Sequence, residues 1–205
     1  MTRADADIAR VLGGDADTDA GRAVDALAAR ADSEGLADVV FGRYESPLGT
    51  GLVAATDRGI VSVALPGREE TEFLDGLAAG LSPRVLELPS RLDEARRELD
   101  EYFGGRRDAF DLELDWRLVR TGFMRSVLRA TAQLPYGATA SYGEVARSAG
   151  NPRAYRAAGT ALGENPIPII VPCHRVLRAG GVLGNYGGGP EMKRWLLELE
   201  GAIEA

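Results

Sequence analysis

Asn165-Pro166-Ile167-Pro168-Ile169-Ile170-Val171-Pro172-Cys173-His174-Arg175 holds the only cysteine and the only histidine of a 205-residue chain, side by side. Each of the three prolines removes a backbone donor and pushes its predecessor toward extended geometry, so no helix forms here. The apolar residues between them, Ile167, Ile169, Ile170 and Val171, predict a strand or loop buried beside the core. A thiol and an imidazole therefore end a rigid, extended, apolar segment. That is a place to hold a reactive group.

A thiol is a weak nucleophile at its ordinary pKa of about 8.5, and a nearby imidazole lowers that value. Adjacent side chains of an extended segment point to opposite faces, so His174 does not simply touch the sulfur of Cys173 unless the chain turns there. A bridging water would serve as relay. A lone cysteine is more often an inert core residue; the neighbouring unique histidine and the proline frame favour reactivity. One cysteine excludes an internal disulfide, and one Cys with one His cannot complete a four-ligand zinc site, so no metal is expected.

Working outward, a glycine-rich loop follows, from Gly180-Gly181 to Gly184-Asn185-Tyr186-Gly187-Gly188-Gly189. It lacks the strand–GxGxxG–helix context of a dinucleotide site, and no GxxxxGK[ST] occurs, so no nucleotide cofactor is expected. Pro190 opens the last helix, whose apolar positions Met192, Trp195, Leu196 and Leu199 predict the buried face. Glu200 flanks that face in the final turn, where the helix dipole disfavours a carboxylate. The one histidine is the partner that would give it a purpose.

On the other side of the opening stretch, Ser141-Tyr142-Gly143-Glu144 is a capping box that starts a short helix ending at Gly150. Asn151-Pro152 then predicts a second helix over about 152–162, with Asn as N-cap and Pro at the first helical position. Two short helices joined by a glycine turn are the signature of a helix-turn-helix. Arg153 and Arg156, three apart, would share one side of the second helix, with Ala157, Ala158, Gly159 and Ala161 on the other. A helical hairpin with solvated arginines stands as the alternative. Before these, Phe123, Val127, Leu128 and Leu134 line one more helix, ended by Pro135-Tyr136-Gly137.

The first half of the chain reads differently. Val39-Val40-Phe41 with Tyr44, Leu52–Ala55 and Ile60–Leu65, separated by the turns Ser46-Pro47-Leu48-Gly49 and Asp57-Arg58-Gly59, predict a three-stranded antiparallel meander. Phe73, Leu74 and Leu77 predict a helix, Val85-Leu86 a short strand, Leu92/Ala95/Leu99/Tyr102/Phe103 an amphipathic helix stopped by Gly104-Gly105, and Phe110–Leu114 a final strand. Residues 1–37 are an Ala/Asp-rich extension with two short helical patterns, Ile8/Val11/Leu12 and Val24/Leu27/Ala31, helical or partly disordered. The organisation expected is thus an extension (1–37), an α+β scaffold domain (38–118) and a mostly helical domain (119–205).

The net charge of −7 divides unevenly. Residues 119–205 carry ten Lys+Arg against six Asp+Glu, a balance of +4, which leaves −11 on the first 118. A basic domain joined to an acidic one suits a DNA binder, with ordinary surface variation as the alternative. No apolar run approaches the ~20 residues a membrane helix needs. The acidic Met1–Asp7 segment lacks a signal peptide's basic-then-apolar order. A cytoplasmic protein is expected, where a thiol stays reduced.

The motif Pro172-Cys173-His174-Arg175-Val176 within the Asn165 stretch resembles the acceptor motif of the O6-alkylguanine-DNA alkyltransferases. The likeness extends through Tyr136-Gly137, Ser141–Ala146, Gly150–Arg153, Arg156-Ala157, Gly184-Asn185-Tyr186 and Trp195–Gly201, and covers about residues 38–203. It implies an α+β fold with a small N-terminal mixed α/β domain, its sheet antiparallel (ribonuclease-H-like), and a C-terminal, mostly helical winged helix-turn-helix-like domain. It implies DNA repair in which the damaged guanine, or an O4-alkylthymine, is flipped out and its alkyl group moves irreversibly to Cys173, with no cofactor.

In that resemblance His174 is the base acting through water, Glu200 orients it, and Asn165 holds the hinge and joins the network. Tyr142 donates to the flipped guanine; Val176, Tyr186 and Gly187 line its pocket. Arg156 fills the vacated stack, in the minor groove, and Asn151, Arg153 and Arg175 add DNA contacts. The partner implied is duplex DNA carrying O6-alkylguanine, bound by a monomer with no membrane involved. Three places depart from the family pattern: Gly122-Phe123-Met124 where Pro-Phe-Gln is frequent, Gly143 after the tyrosine, and Gly163-Glu164 where a basic residue is common. The last sets a carboxylate near the expected phosphate path, so weak or salt-sensitive DNA affinity is expected. The rivals are a non-catalytic damage-binding relative, in which the acceptor cysteine is typically replaced, and a Cys-His hydrolase.

Overall fold

The computed structural model describes residues 34–204, with Ala26, Arg30 and Ala31 ahead of them; the pattern Ile8/Val11/Leu12, and Val24 and Leu27 of the second pattern, lie outside the described residues. The two turns read from the sequence join β1 (Val39–Ser46), β2 (Gly49–Thr56) and β3 (Gly59–Ala64) into an antiparallel meander. Gly59 has a φ of 118°, and a Cβ there would run into the carbonyl of Glu113, so only glycine fits this corner. A fourth strand, β4 (Val85–Glu87), lies parallel to β1 and makes the sheet mixed, in the order β3-β2-β1-β4.

Helix α1 (Glu70–Gly80) covers one face of the sheet through Phe73 and Leu77, against Val39, Phe41, Ala54 and Val61. Helix α2 (Asp93–Phe103) covers the other, where Leu99, Tyr102 and Phe103 share a core with Val40, Tyr44 and Val53. Burial on both faces explains why these strands read as apolar runs rather than as clean alternation.

The expected strand at Phe110–Leu114 is not one. Leu114 makes a single bridge to Ile60, flanked by two backbone bonds of 2.8 Å. The amide of Asp111 is taken instead by the buried carboxylate of Glu98, at 2.9 Å. A side chain that satisfies the backbone removes the reason for a ladder.

The core that lines α2 continues without a break into the helical part, through Val127, Ala146, Ala158, Ile167, Val171 and Leu196. Helix α3 (Gly122–Ala132) is capped by Thr121, whose hydroxyl accepts from the amide of Met124. Strand β5 (Ala140–Ser141) leads straight into α4 (Tyr142–Ser148), and both bonds of the capping box are formed. The second helix of the pair, α5, runs Tyr155–Gly163. It starts three residues later than the sequence predicts, because the carbonyl of Asn151 closes a turn with the amide of Ala154 and its side chain takes the amide of Arg153. Arg153 therefore sits in that turn and does not share a helix face with Arg156.

Strand β6 (Val176–Leu177) pairs with β5 in parallel, and α6 (Gly189–Leu199) ends the fold. The buried face of α6 is Lys193, Leu196 and Leu197, continued by Glu200, whereas Met192 and Trp195 are only half-buried. No helix among the described residues is long and apolar enough to cross a membrane.

Candidate active site

Asn165 closes the loop that carries the cysteine. Its side-chain amide donates to the carbonyl of Val171 at 2.9 Å, and its side-chain oxygen accepts from the amide of Ile167 at 3.0 Å. The amide of Val171 returns to the carbonyl of Ile167 at 2.9 Å, so the segment folds into a tight loop rather than a strand. Inside it Ile169 has a φ of 74°, left-handed backbone that a β-branched residue rarely adopts, held by burial of Ile167 and Ile169. Strand β3 clamps the loop from the other side: the amide of Val63 and the hydroxyl of Ser62 both donate to the carbonyl of Pro166.

The chain then turns. Cys173–Arg175 form one 3-10 turn, so the extended geometry expected at the Cys-His pair is replaced by a bend. Cys173, 8% exposed, forms part of a cavity wall, while His174 is fully buried behind it. Nε2 of His174 lies 2.8 Å from Oε1 of Glu200. An ionised carboxylate only accepts, so Nε2 carries the proton and Nδ1 keeps a lone pair, with no partner within the protein.

Glu200 is the hub of this network. Burial pushes its carboxyl up, but the hydrogen bonds from His174 and Arg175 outweigh that and hold it down at about 2. Arg175 grips it with a two-pronged fork at 2.8 and 2.9 Å, and Tyr102 of α2 donates to it at 2.7 Å. The same burial lowers His174, opposed by Glu200. With the arginine already neutralising the carboxylate, the imidazole is neutral and basic at Nδ1. Burial raises the thiol of Cys173, with the Asn165 amide and the Lys193 charge working the other way. Lys193 is fully buried, donates to the carbonyl of Val176 at 2.6 Å, and is lowered by burial to about 8.

In front of the sulfur lies a cavity of about 910 Å³, bounded by Tyr142, Arg156, Gly159, Arg178, Tyr186 and Gly187 among others. The pairing of β5 with β6 sets Tyr142 at the head of α4 next to the Cys173 turn. Its ring lies between two glycines: a Cβ on Gly184 would stand 2.5 Å from its hydroxyl and one on Gly159 3.6 Å from its ring. Burial raises the Tyr142 hydroxyl, so it stays a proton donor. The hydroxyl of Tyr186 is buried without a partner, and its ring stands edge-on to His174 at 6.3 Å. Arg156 is exposed at the rim, its guanidinium 5.6 Å from the ring of Tyr155, which is itself 49% exposed.

Of the residues expected at the site, Cys173, Tyr142, Tyr186, Gly187 and Arg156 bound the cavity, with His174 and Glu200 bonded to each other behind the cysteine and Asn165 closing its loop. Asn151 and Arg153 are exposed in the turn before α5 and do not bound the cavity. Two expectations need correction. Arg175 is 5% exposed with its fork committed to Glu200, so it holds the acid and does not reach DNA. Val176 is fully buried in the core and does not bound the cavity, where Leu162 and Gly159 take its place.

Tyr102, Lys193, Arg178 and Tyr155 escape a reading of the sequence. For Lys193 a signal existed: Lys193, Leu196, Leu197 and Glu200 follow the i, i+3, i+4, i+7 rule as well as the more apolar set 192/195/196/199 does. Following hydrophobicity alone rotates the helix by one residue.

Two family models match the chain: 6-O-methylguanine DNA methyltransferase, ribonuclease-like domain, over residues 39–116, and 6-O-methylguanine DNA methyltransferase, DNA binding domain, over 122–202. A methylated-DNA–protein-cysteine methyltransferase of Methanosarcina acetivorans is 41% identical over 160 residues, 78% of this chain and 96% of that protein. A protein of the same name from Mycobacterium tuberculosis is 52% identical over 112 residues, 55% of this chain and 67% of its own length. The crystal structure of an M. tuberculosis O6-methylguanine methyltransferase superposes with a TM-score of 0.68 at 38% identity, covering 82% of this chain and 95% of that one. A crystal structure of M. tuberculosis OGT in complex with DNA gives 0.69 at 38% identity, over 80% and 93%.

Proposed function

This chain belongs to the 6-O-methylguanine DNA methyltransferase family, and from that premise we propose that it repairs DNA by moving the alkyl group of O6-alkylguanine, or of O4-alkylthymine, onto Cys173. It is a single-turnover transferase. The observation that carries this reading is a lone cysteine at the wall of a cavity with room for a base, backed by a buried His174–Glu200–Arg175 chain.

The α5 face engages duplex DNA, and the target base leaves the stack for the cavity, at a cost of a few kcal/mol. Arg156 at the rim fills the gap it leaves, as wedge side chains do. Nδ1 of His174 takes the thiol proton through a water, and the imidazolium is stabilised by Glu200. The sulfur attacks the alkyl carbon: the S–C bond forms, the C–O6 bond breaks, and its electron pair stays on the base. Tyr142 supplies a proton so that guanine departs neutral, and over the whole reaction the thiol proton ends on guanine. The thioether has no S–S bond for a thiol to exchange, so the acceptor is spent. Asn165 keeps the loop closed, and Tyr186 and Gly187 face the base. Residues 38–118 act as scaffold and 119–205 as the DNA-binding and acceptor unit, one copy per lesion, in a reducing compartment such as the cytoplasm where the thiol persists.

The test is intact mass after incubation with a duplex carrying O6-methylguanine, followed by peptide mapping. One methyl per chain, on Cys173, is expected. Bound DNA with no adduct would replace this reading with a damage-binding protein.

A further inference from the structure

The cavity at Cys173 is larger than one base. Its volume of about 910 Å³ lies near the top of the ~300–1,000 Å³ range that encloses a drug-sized molecule, and a purine base is smaller than that. Its inner walls are buried or half-buried, at Cys173, Tyr142 and Tyr186, whereas its mouth is set by exposed side chains, Tyr155 and Arg156 on one side and Arg178 on the other. Tyr155 opens α5 and stands four residues, one turn, before Gly159, whose surface meets the ring of Tyr142. An aromatic ring thus sits one turn outward from the tyrosine inside. Across the mouth, Arg178 begins a short loop that its own amide closes on the carbonyl of Val182 at 2.8 Å. Three large hydrophobic side chains are exposed among the described residues, and two of them, Tyr155 and Val182, belong to these two facing segments. The guanidinium of Arg178 pairs with no carboxylate among the described residues.

We propose that the mouth is a second nucleotide subsite, in which the base next to the flipped one on the lesion strand stacks on Tyr155 and the phosphate joining the two meets Arg178. The inference rests on the base-flipping reading of the same cavity. A flipped nucleotide stays covalently joined to its neighbours, so the lesion strand has to pass the mouth on its way in and out. What it passes there is an aromatic face and a cation, the two elements by which proteins hold unstacked strands. In the free protein the guanidinium of Arg156 rests 5.6 Å from the centre of the Tyr155 ring, a cation–π contact. When Arg156 moves into the gap left by the flipped base, that contact is given up and the ring face is open to a base. Stacking there offsets the unstacking of the neighbour, so entry of Arg156 into the duplex and capture of the flanking base belong to one event. Every base has a π-face, so the subsite takes any flanking base and fixes the path of the strand, not its sequence.

The experiment times methyl transfer by intact mass, at sub-saturating duplex, for the full chain, Tyr155→Ala and Tyr155→Phe. The duplexes carry O6-methylguanine with an ordinary nucleotide or an abasic one at the neighbouring position, on the 5′ or the 3′ side. Tyr155 is exposed, so neither substitution disturbs the core. On the ordinary duplex Tyr155→Ala should slow transfer about fivefold or more, the loss expected when one base–aromatic stack is removed, and Tyr155→Phe should stay within about twofold. On one of the two sides the abasic neighbour should slow the native chain and hardly slow Tyr155→Ala further, because the two changes remove the same contact. Reaction with free benzylguanine should be unchanged by Tyr155→Ala. No loss in Tyr155→Ala, losses that multiply on both sides, or an equal loss with free benzylguanine would overturn the proposal. Failure of the unaltered chain to accept methyl on Cys173 would instead count against the alkyl-transfer reading itself.

Discussion

Tyr102 donates its hydroxyl proton to Oε1 of Glu200 across 2.7 Å, joining residues 98 positions apart. One closes the last turn of α2 under the sheet; the other caps α6 and holds His174. The sheet part therefore steadies the carboxylate bonded to His174. Tyr102→Phe keeps the ring packing against Phe103, Phe110 and Tyr136 but removes the bond, and should lower stability by about 1–2 kcal/mol. Urea unfolding measures that loss, and transfer to Cys173 should slow without being abolished.

Glu200→Gln should do far more harm. It leaves Arg175 buried without its counter-charge, at an expected cost of about 3–5 kcal/mol. The folded carboxyl sits at about 2 against an ordinary 4.5, so its contribution is present above 4.5 and disappears as pH falls toward 2. The stability gap between the native chain and Glu200→Gln should stay constant above that window and narrow within it. A gap that ignores pH would show that the carboxylate is not ionised in the network.

The rate of reaction with free benzylguanine should hold level from pH 6.5 upward through neutrality. Burial holds the thiol of Cys173 above its ordinary 9.0 and His174 below its ordinary 6.5, so the pair starts as thiol and neutral imidazole. Loss of activity on the acid side should therefore appear only below 6.5. A rate that declines between pH 6.5 and 9.0 would contradict a neutral His174.

Lys193→Met removes a buried charge that favours the thiolate and leaves the carbonyl of Val176 without its donor. Transfer at neutral pH should slow, because a thiol held higher gives up its proton less readily. The native lysine binds its proton more weakly folded (about 8) than unfolded (10.5), so the unfolded chain holds more protons between those values. Stability of the native chain should then rise over that range, and the rise should vanish in Lys193→Met. Urea midpoints taken on both sides of the window check the sign.

Arg156→Ala should slow repair in duplex DNA about tenfold or more, since an unfilled gap leaves a few kcal/mol of unstacking uncompensated. Reaction with free benzylguanine should hardly change, because Arg156 sits at the rim and not at the sulfur. Equal losses on both substrates would remove the flipping role.

Much of the scaffold was legible in local grammar. The turns Ser46–Gly49 and Asp57–Gly59 place three strands correctly, and Ser141 with Glu144 starts α4 where a capping box should. Phe110–Leu114 misled because alternation is also compatible with an extended segment whose amides are claimed by a buried side chain, Glu98. Asn151-Pro152 misled because the Asn151 carbonyl closes a turn before the helix begins.

By itself the amino-acid sequence determined which groups are the candidates for the chemistry: one thiol, one imidazole, a proline-framed loop and a carboxylate where the helix dipole disfavours it. Those are properties of single residues and short spacings. Only the tertiary structure decided who answers Glu200, and why Arg175 is an internal counter-ion rather than a DNA contact. Each of those depends on the burial of one particular face of a helix or strand against residues tens of positions away. Local spacing carries no record of that choice, because a face rotated by one residue, as on α6, satisfies the same periodicity.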